Sequence, residues 1–265
     1  MLIVGELINS SCKTIARAIE TRDFKVIQTV AKEQREAGAN FIDVNAGIFG
    51  EQEVESLKWL VTSVQEAVDT PCCIDSPDPR AIEAALEVHR GTAMINSISL
   101  EKERFKNLLP IVAGTDFKVV ALCISEDGMP EFAQERLTFA EQLVNGLVKN
   151  NVPLNNIYVD PLVQPISMNT NFGWECLKAV GMIMNRFKGV HTICGISNIS
   201  YGLPNRKLLN RTFAAMAIAK GLDSLILNPL DQQLMANVIA AEAIKAKDNF
   251  CEMYLKAHRA EKFRF

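Results

Sequence analysis

The sequence is short of the features that mark several functional classes. Its seven cysteines are odd in number and form no C-x-x-C pair, and its histidines are limited to His89, His191 and His258. Neither a disulfide framework nor a zinc site is supported. Cys72, Cys73, Cys123 and Cys194 fall inside apolar runs, where a free thiol behaves as a small hydrophobe, so core positions are expected for them. An excess of one charge is lacking too. The 28 basic and 31 acidic residues leave a net charge of −3 without a long block of either sign, which argues against a nucleic-acid footprint. Every apolar stretch is interrupted well before the roughly 18 residues of a membrane span, and Glu6 falls too early in the run from Met1 to Ile8 for a secretory signal. A soluble, cytoplasmic protein is expected, and 265 residues with 48% hydrophobic content are ample for a large core.

No linker, low-complexity tract or change of composition divides the chain. What recurs is a short apolar run that ends in a polar residue and is followed by a helical segment. The runs are Leu2 to Val4 ending at Glu6, Phe41-Ile42 ending at Asp43 and Asn45, Cys72 to Ile74 ending at Asp75, and Ala93 to Ile95 ending at Asn96. Val119 to Ile124 ending at Ser125, Ile157 to Val159 ending at Asp160, Ile193 to Ile196 ending at Ser197 and Asn198, and Leu225 to Leu227 ending at Asn228 complete the set. The polar markers recur at roughly 30-residue intervals, the length of a βα unit. Between them, Val54, Leu57, Val61, Val64 and Val68 trace an apolar helical stripe, as do Ala140, Leu143, Val144, Leu147 and Val148, and Gly38 stops the first long helix. Eight units predict a single (β/α)8 TIM barrel over residues 1–265, since an open doubly wound sheet more often has about five to seven strands.

In such a barrel the active site lies at the C-terminal strand ends, which here carry Glu6, Asn9, Asp43, Asn45, Asp75, Asn96, Ser125, Asp160, Asn198 and Asn228. Any one of them serves equally well as a helix cap or turn former. Taken together they are dominated by Asp and Asn, whereas capping also favours Ser and Thr, and the set predicts a ligand with many polar edge atoms and little net charge. The strand ends offer no lysine for a Schiff base and no histidine pair for a metal, and the chain has no G-x-x-x-x-G-K phosphate cradle. Aldolase, metallohydrolase and nucleotide-phosphate chemistry all recede.

The segments Gly5-Glu6-Leu7-Ile8-Asn9, Asp43-Val44-Asn45, Ile74-Asp75-Ser76, Ala93-Met94-Ile95-Asn96-Ser97, Asp160-Pro161-Leu162, Gly195-Ile196-Ser197-Asn198 and Asn205-Arg206, with Asn210-Arg211-Thr212-Phe213 after them, are individually weak but specific in their order and spacing. Over nearly the whole chain they resemble the methyltetrahydrofolate:corrinoid-protein methyltransferases, whose pterin-binding barrel is shared with dihydropteroate synthase and the folate domain of cobalamin-dependent methionine synthase. The opening GELIN departs from the GERIN of relatives, so no basic residue stands at Leu7. The resemblance implies a pterin site formed by Glu6, Asn9, Asp43, Asn45, Asp75, Asn96, Asp160, Ser197, Asn198 and Arg206, with Asn198, Asp160 and Asp75 as the catalytic set and no metal ligand. Physical chemistry agrees: a pterin presents its 2-amino group and N3–H side by side, and an ionised carboxylate such as Asp160 has two oxygens to receive them. The resemblance implies Asp75 and Asn96 on the remaining ring nitrogens.

By the same resemblance, Asn198 donates to N5, the atom that carries the methyl group of 5-methyltetrahydrofolate, and Co(I) of a corrinoid is the nucleophile. None of the three histidines stands in the D-x-H-x-x-G setting of a corrinoid-binding loop, so the corrinoid is expected on a separate, transiently docked protein. A homodimer is implied by the resemblance alone. Three matters stay open at the level of sequence: the direction of methyl transfer, a dihydropteroate synthase-like C–N transferase using Arg206 and Arg211, and a pterin-binding module without catalysis.

Overall fold

Eight parallel strands close into a barrel in sequence order in the computed structural model, which describes residues 1–263. The strands are β1 (Leu2–Asn9), β2 (Phe41–Asn45), β3 (Cys72–Asp75), β4 (Met94–Ile98), β5 (Lys118–Leu122), β6 (Ile157–Asp160), β7 (His191–Gly195) and β8 (Ser224–Leu227). Two helices, α1 (Lys13–Glu20) and α2 (Phe24–Glu36), follow β1. One helix follows each later strand: α3 (Glu53–Ala67), α4 (Pro79–Val88), α5 (Lys102–Val112), α6 (Ala133–Lys149), α7 (Phe172–Arg186), α8 (Arg206–Lys220) and α9 (Gln232–Ile244). A short α10 (Glu252–Arg259) comes after the last turn. The eight expected units are all present. Two strand ends differ from expectation: β5 stops at Leu122 and β7 at Gly195, so Ser125 belongs to a loop turn closed with Gly128, and Ser197-Asn198 to a short 3₁₀ turn.

Alternation along the strands sorts the side chains into two sets. Val4, Phe41, Cys73, Met94, Val120, Tyr158, Ile193 and Ile226 form one apolar cluster that fills the barrel. Their strand neighbours Ile42, Ile74, Ile95, Val119, Val159, Cys194 and Leu225 belong instead to the two clusters shared with the helices. This is the layered filling of a small parallel barrel, in which every second residue points inward. The helical stripes expected from sequence are buried on this outer layer, except that Val54 near the start of α3 is half-buried and Val148 at the end of α6 is exposed. All four cysteines of the apolar runs are buried, as is Cys176.

Local chemistry sets the element boundaries. Asp23, Asp78 and Asp231 cap α2, α4 and α9 by accepting backbone N–H groups, Pro79 begins α4, and Gly38, at φ 107°, ends the turn after α2. The helix caps are therefore different residues from the polar groups at the strand ends. Two strands carry an extra residue. In β1 the register slips between Gly5 and Ile8, and in β4 between Asn96 and Ile98. The β1 bulge turns Ile8 outward into the core while Asn9 faces the mouth, and it is held by Gln34 of α2, whose Oε1 accepts the Leu7 N–H at 3.1 Å.

That bulge requires glycine. A Cβ at Gly5 would collide with Gln34 Oε1, and Gln34 has no exposed surface into which to retreat. Gly5→Ala is therefore expected to destabilise the fold by about 1–3 kcal/mol, the usual cost of overfilling a closed core. Urea unfolding measures it, and an unchanged midpoint would show that Gln34 is free to swing aside.

Candidate active site

One layer above the apolar plug, the inward row changes character. Val4 is followed by Glu6, Phe41 by Asp43, Cys73 by Asp75, Met94 by Asn96, Tyr158 by Asp160 and Ile226 by Asn228. These six polar residues line a cavity of about 660 Å³ at the C-terminal mouth, together with Leu122, Leu162, Val163 and Ile226 as apolar wall. Nine of the ten residues expected in the site line it: five of these six, and Asn9, Ser197, Asn198 and Arg206 around the rim. Asn45 does not. It stands behind Asp75, donating from Nδ2 to Asp75 Oδ2 at 3.0 Å while its Oδ1 accepts from Ser10 Oγ and the Gly47 N–H.

Turn formation explains part of this set. Asn9, Asn45, Asp160 and Asn228 each accept the backbone N–H two residues ahead, as turn-forming Asx residues do. For Asp160 this occupies only Oδ1, with Leu162 N at 2.8 Å, and Oδ2 is left for the cavity. Glu6, Asp43, Asp75 and Asn96 make no such turn. Asn198 is exposed at the rim, and its carboxamide has no hydrogen-bond partner among the described residues.

Burial makes the floor reluctant to ionise. Desolvation raises Glu6 to about 7 against the opposing pull of Ser197 and Arg206, raises Asp75 to about 6, and raises Asp160 to about 7 despite the Leu162 N–H and Arg136. Asp43 is pushed well above the ordinary carboxyl range, first by burial and then by the neighbouring Asp75, with Cys73 and Asn96 pulling the other way. Its Oδ1 is buried without a hydrogen-bond partner. Such an orphan is costly unless something completes it, and a planar ligand with several N–H donors on its edge would do so.

Three arginines brace the floor. Arg104 of α5 donates to Ser97 O (2.8 Å), Pro77 O (2.5 Å) and Ser76 O (2.8 Å), joining the loops after β3 and β4 beside Asp75. Arg206 donates to Ser197 O (2.7 Å) and Ser200 Oγ (3.1 Å), and Ser200 in turn donates to Asn210, fixing the turn that bears Asn198. Arg136 of α6 holds the loop after Asp160. Sequence reasoning named only Arg206 of these three. A signal for Arg136 was available: it stands four residues before Ala140, on the buried stripe of its helix, where a charge needs a reason.

A family profile described as pterin-binding enzyme matches residues 5–228. The chain belongs to that family. Among curated proteins it is 35% identical over 264 residues to the methylcorrinoid:tetrahydrofolate methyltransferase of Eubacterium limosum, covering 99% of this chain and 97% of the relative. It is 30% identical over 241 residues to the methionine synthase of Mycobacterium tuberculosis, covering 86% of this chain and 20% of that much longer protein. Among solved structures, a dihydropteroate synthase from Coxiella burnetii in complex with pteroic acid superposes with a TM-score of 0.75 at 15% identity, covering 93% of this chain and 94% of the other. The dihydropteroate synthase of Xanthomonas albilineans gives 0.72 at 16%, covering 93% and 92%. At such identities these two structures speak for the fold alone.

The raised carboxyls of this pterin-binding enzyme have a measurable consequence. Unfolded, Asp160 releases its proton near pH ~4, whereas folded it keeps the proton to about 7. Its contribution to stability is thus fully present below pH ~4 and is lost as the pH climbs through about 7. Asp160→Asn removes that dependence, so the stability of the variant relative to the parent is expected to improve between about pH 5 and about pH 8. Urea unfolding at both pH values measures the difference, and a pH-independent difference would mean that Asp160 ionises normally in the fold.

Proposed function

We propose that this protein is a methyltransferase that moves a methyl group from a corrinoid carried by a separate protein to N5 of tetrahydrofolate, with the reverse transfer open to the same site. The observation that carries the reading is the pairing of a carboxyl and carboxamide floor, complementary to a pterin edge, with an unpartnered carboxamide, Asn198, at the open rim. The full-length likeness to a methylcorrinoid:tetrahydrofolate methyltransferase supports both the reaction and its direction. The corrinoid supplies the methyl group as the second substrate.

The chain's own residues bind and orient. Asp160 accepts the 2-amino group and N3–H with its carboxylate, Asn96 offers both a donor and an acceptor, and Asp75 and Asp43 meet the remaining ring nitrogens from below. Glu6, Asn9 and Ser197 close the sides. N5 then lies toward the mouth. As N5 takes up a methyl group it must shed its proton, and in the reverse direction it must gain one. The Asn198 carboxamide orients N5 in either case, accepting N5–H with its oxygen or donating to N5 with its nitrogen, while the proton itself passes to or from water at the open mouth, since an amide is neither acid nor base near neutral pH.

Arg206 and Arg211, the residues that keep a pyrophosphate-binding alternative open in the sequence, are engaged elsewhere. Arg206 grips the Ser197 turn, and Arg211 is paired with Asp231 at 2.7 Å across α8 and α9. This favours methyl transfer over dihydropteroate synthase chemistry. The partner protein would approach the mouth, where Ile48, Met129, Met168 and Tyr201 are exposed on the loops after β2, β5, β6 and β7. That face suits a docking that is transient, because the corrinoid protein must leave to reach its other methyl partner. A homodimer in the cytoplasm is part of the same proposal, and light scattering of the purified chain tests the dimer.

Two measurements test the site. Asp160→Asn is expected to weaken tetrahydrofolate binding by about 1.5–3 kcal/mol, the scale of a charge-assisted hydrogen bond lost in a desolvated site; calorimetric titration reads it, and unchanged affinity would return Asp160 to turn formation alone. Asn198→Ala is expected to slow methyl transfer between the corrinoid protein and tetrahydrofolate by about 10²-fold while leaving the urea midpoint in place. Stopped-flow spectra of the corrinoid follow the reaction, and a parental rate would remove Asn198 from the chemistry.

A further inference from the structure

Arg136 is a cation with no exposed surface at all, and no carboxylate lies within ion-pair distance of it among the described residues. Its Nε donates to Pro161 O at 2.8 Å and its Nη1 to Glu131 O at 2.8 Å, while Nη2 lies 3.5 Å from Leu162 O. Three carbonyls satisfy the guanidinium as a donor but do not balance its charge, and an unbalanced buried charge is costly. Two acids feel it. Glu175 of α7 is already engaged with the Ala133 N–H and with Lys178. The other is Asp160, adjacent in sequence to the carbonyl that Arg136 grips. The remaining titratable groups facing Asp160 are the thiols of Cys123, just after β5, and Cys194 of β7, with Cys176 of α7 against them; burial keeps Cys123 and Cys194 protonated.

We propose that Arg136 is a positioning residue of the pterin site, acting through Asp160. By holding the carbonyls of Pro161 and Leu162 it fixes the turn in which Leu162, at φ 64°, directs its N–H onto Asp160 Oδ1 at 2.8 Å. Its charge favours the carboxylate over the acid at the moment the ligand's two donors arrive. A planar fork is needed because two carbonyls one residue apart must be held from one side, a geometry that a lysine ammonium does not reproduce. Arg104 beside Asp75 and Arg206 beside Glu6 repeat the arrangement, each coupling a loop grip to a site carboxylate that its charge pulls back toward ionisation. The inference rests on Asp160 being the pterin acceptor, as proposed above.

The test is the pH profile of tetrahydrofolate affinity, measured by calorimetry between about pH 5.5 and pH 8.5 for the full chain. In the parent the affinity should rise with pH to a plateau as the site carboxyls ionise, Asp160 and Glu6 at about 7 and Asp75 at about 6, and Asp160→Asn should remove the share of that rise that belongs to Asp160. In Arg136→Met the midpoint should move up by about one unit, weakening binding near pH 7 by about fivefold. Arg136→Lys keeps a charge and loses the fork, so it should bind about tenfold more weakly on the plateau with little movement of the midpoint; it also carries the test if the methionine variant does not fold. A parental profile in either folded variant overturns the role of Arg136 alone. A pH profile in Asp160→Asn identical to the parent's overturns the reading of Asp160, and this inference with it.

Discussion

Everything at the mouth of this barrel depends on the strict alternation of side chains along short parallel strands. Because successive residues point to opposite faces, a residue two beyond a plug residue points into the same interior. The chain uses this on six strands, so that an apolar layer of Val4, Phe41, Cys73, Met94, Tyr158 and Ile226 is capped by a polar layer of Glu6, Asp43, Asp75, Asn96, Asp160 and Asn228. Polar groups that would be intolerable one layer down are held at a fixed height and angle by backbone hydrogen bonds on either side. The bulges in β1 and β4 adjust this scheme at two places, bringing Asn9 to the mouth and turning Ile98 to the outside.

The same alternation accounts for what sequence reading reached. Each strand announces itself as a short apolar run that ends in an acid or amide, and the polar terminus is the inward residue of the top layer. Nine of ten expected site residues therefore line the cavity. Asn45 fell outside because an inward strand end and an occupied side chain look identical in sequence; only the fold shows that Asn45 is spent on Ser10, Gly47 and Asp75. The ends of β5 and β7 were placed too far along since Cys123-Ile124 and Ile196 continue an apolar run into the loops. The arginine braces were missed for a different reason. Arg104 and Arg136 lie on helices far along the chain from the acids they serve, and their partners are carbonyls, which every residue has. A charge on a buried helical stripe is the single trace such a residue leaves.

Placing several carboxyls in one small cavity costs stability, and the fold does not remove that cost. Glu6, Asp75 and Asp160 have their proton affinities raised to about 7, 6 and 7, and Asp43 keeps an oxygen without a partner. Structural optimisation alone would have replaced these groups with apolar ones, which commonly match or exceed buried polar networks in stability. A site that is strained in this sense when empty is completed by a ligand that brings hydrogen-bond donors, so the free energy withheld from folding appears as affinity. The arginines limit the cost without abolishing it, since Arg104 and Arg136 lie outside the cavity behind their acids and Arg206 stands at its rim.

The division between floor and rim also bears on reversibility in the proposed reaction. Ionisable groups that change protonation near neutrality lie on the floor, where they meet the far edge of the pterin, while the group assigned to N5 is an amide that never ionises. A carboxylic acid at that position would favour whichever direction matched its protonation state at the prevailing pH, because proton transfer is most effective when donor and acceptor affinities are matched. An amide carries no such bias: its oxygen and nitrogen lie on one rotatable group, and it can face N5–H or the N5 lone pair with equal charge. The direction of methyl flow is then left to the supply of methylated corrinoid and of tetrahydrofolate, and the barrel's contribution is the alignment it gives to both directions alike.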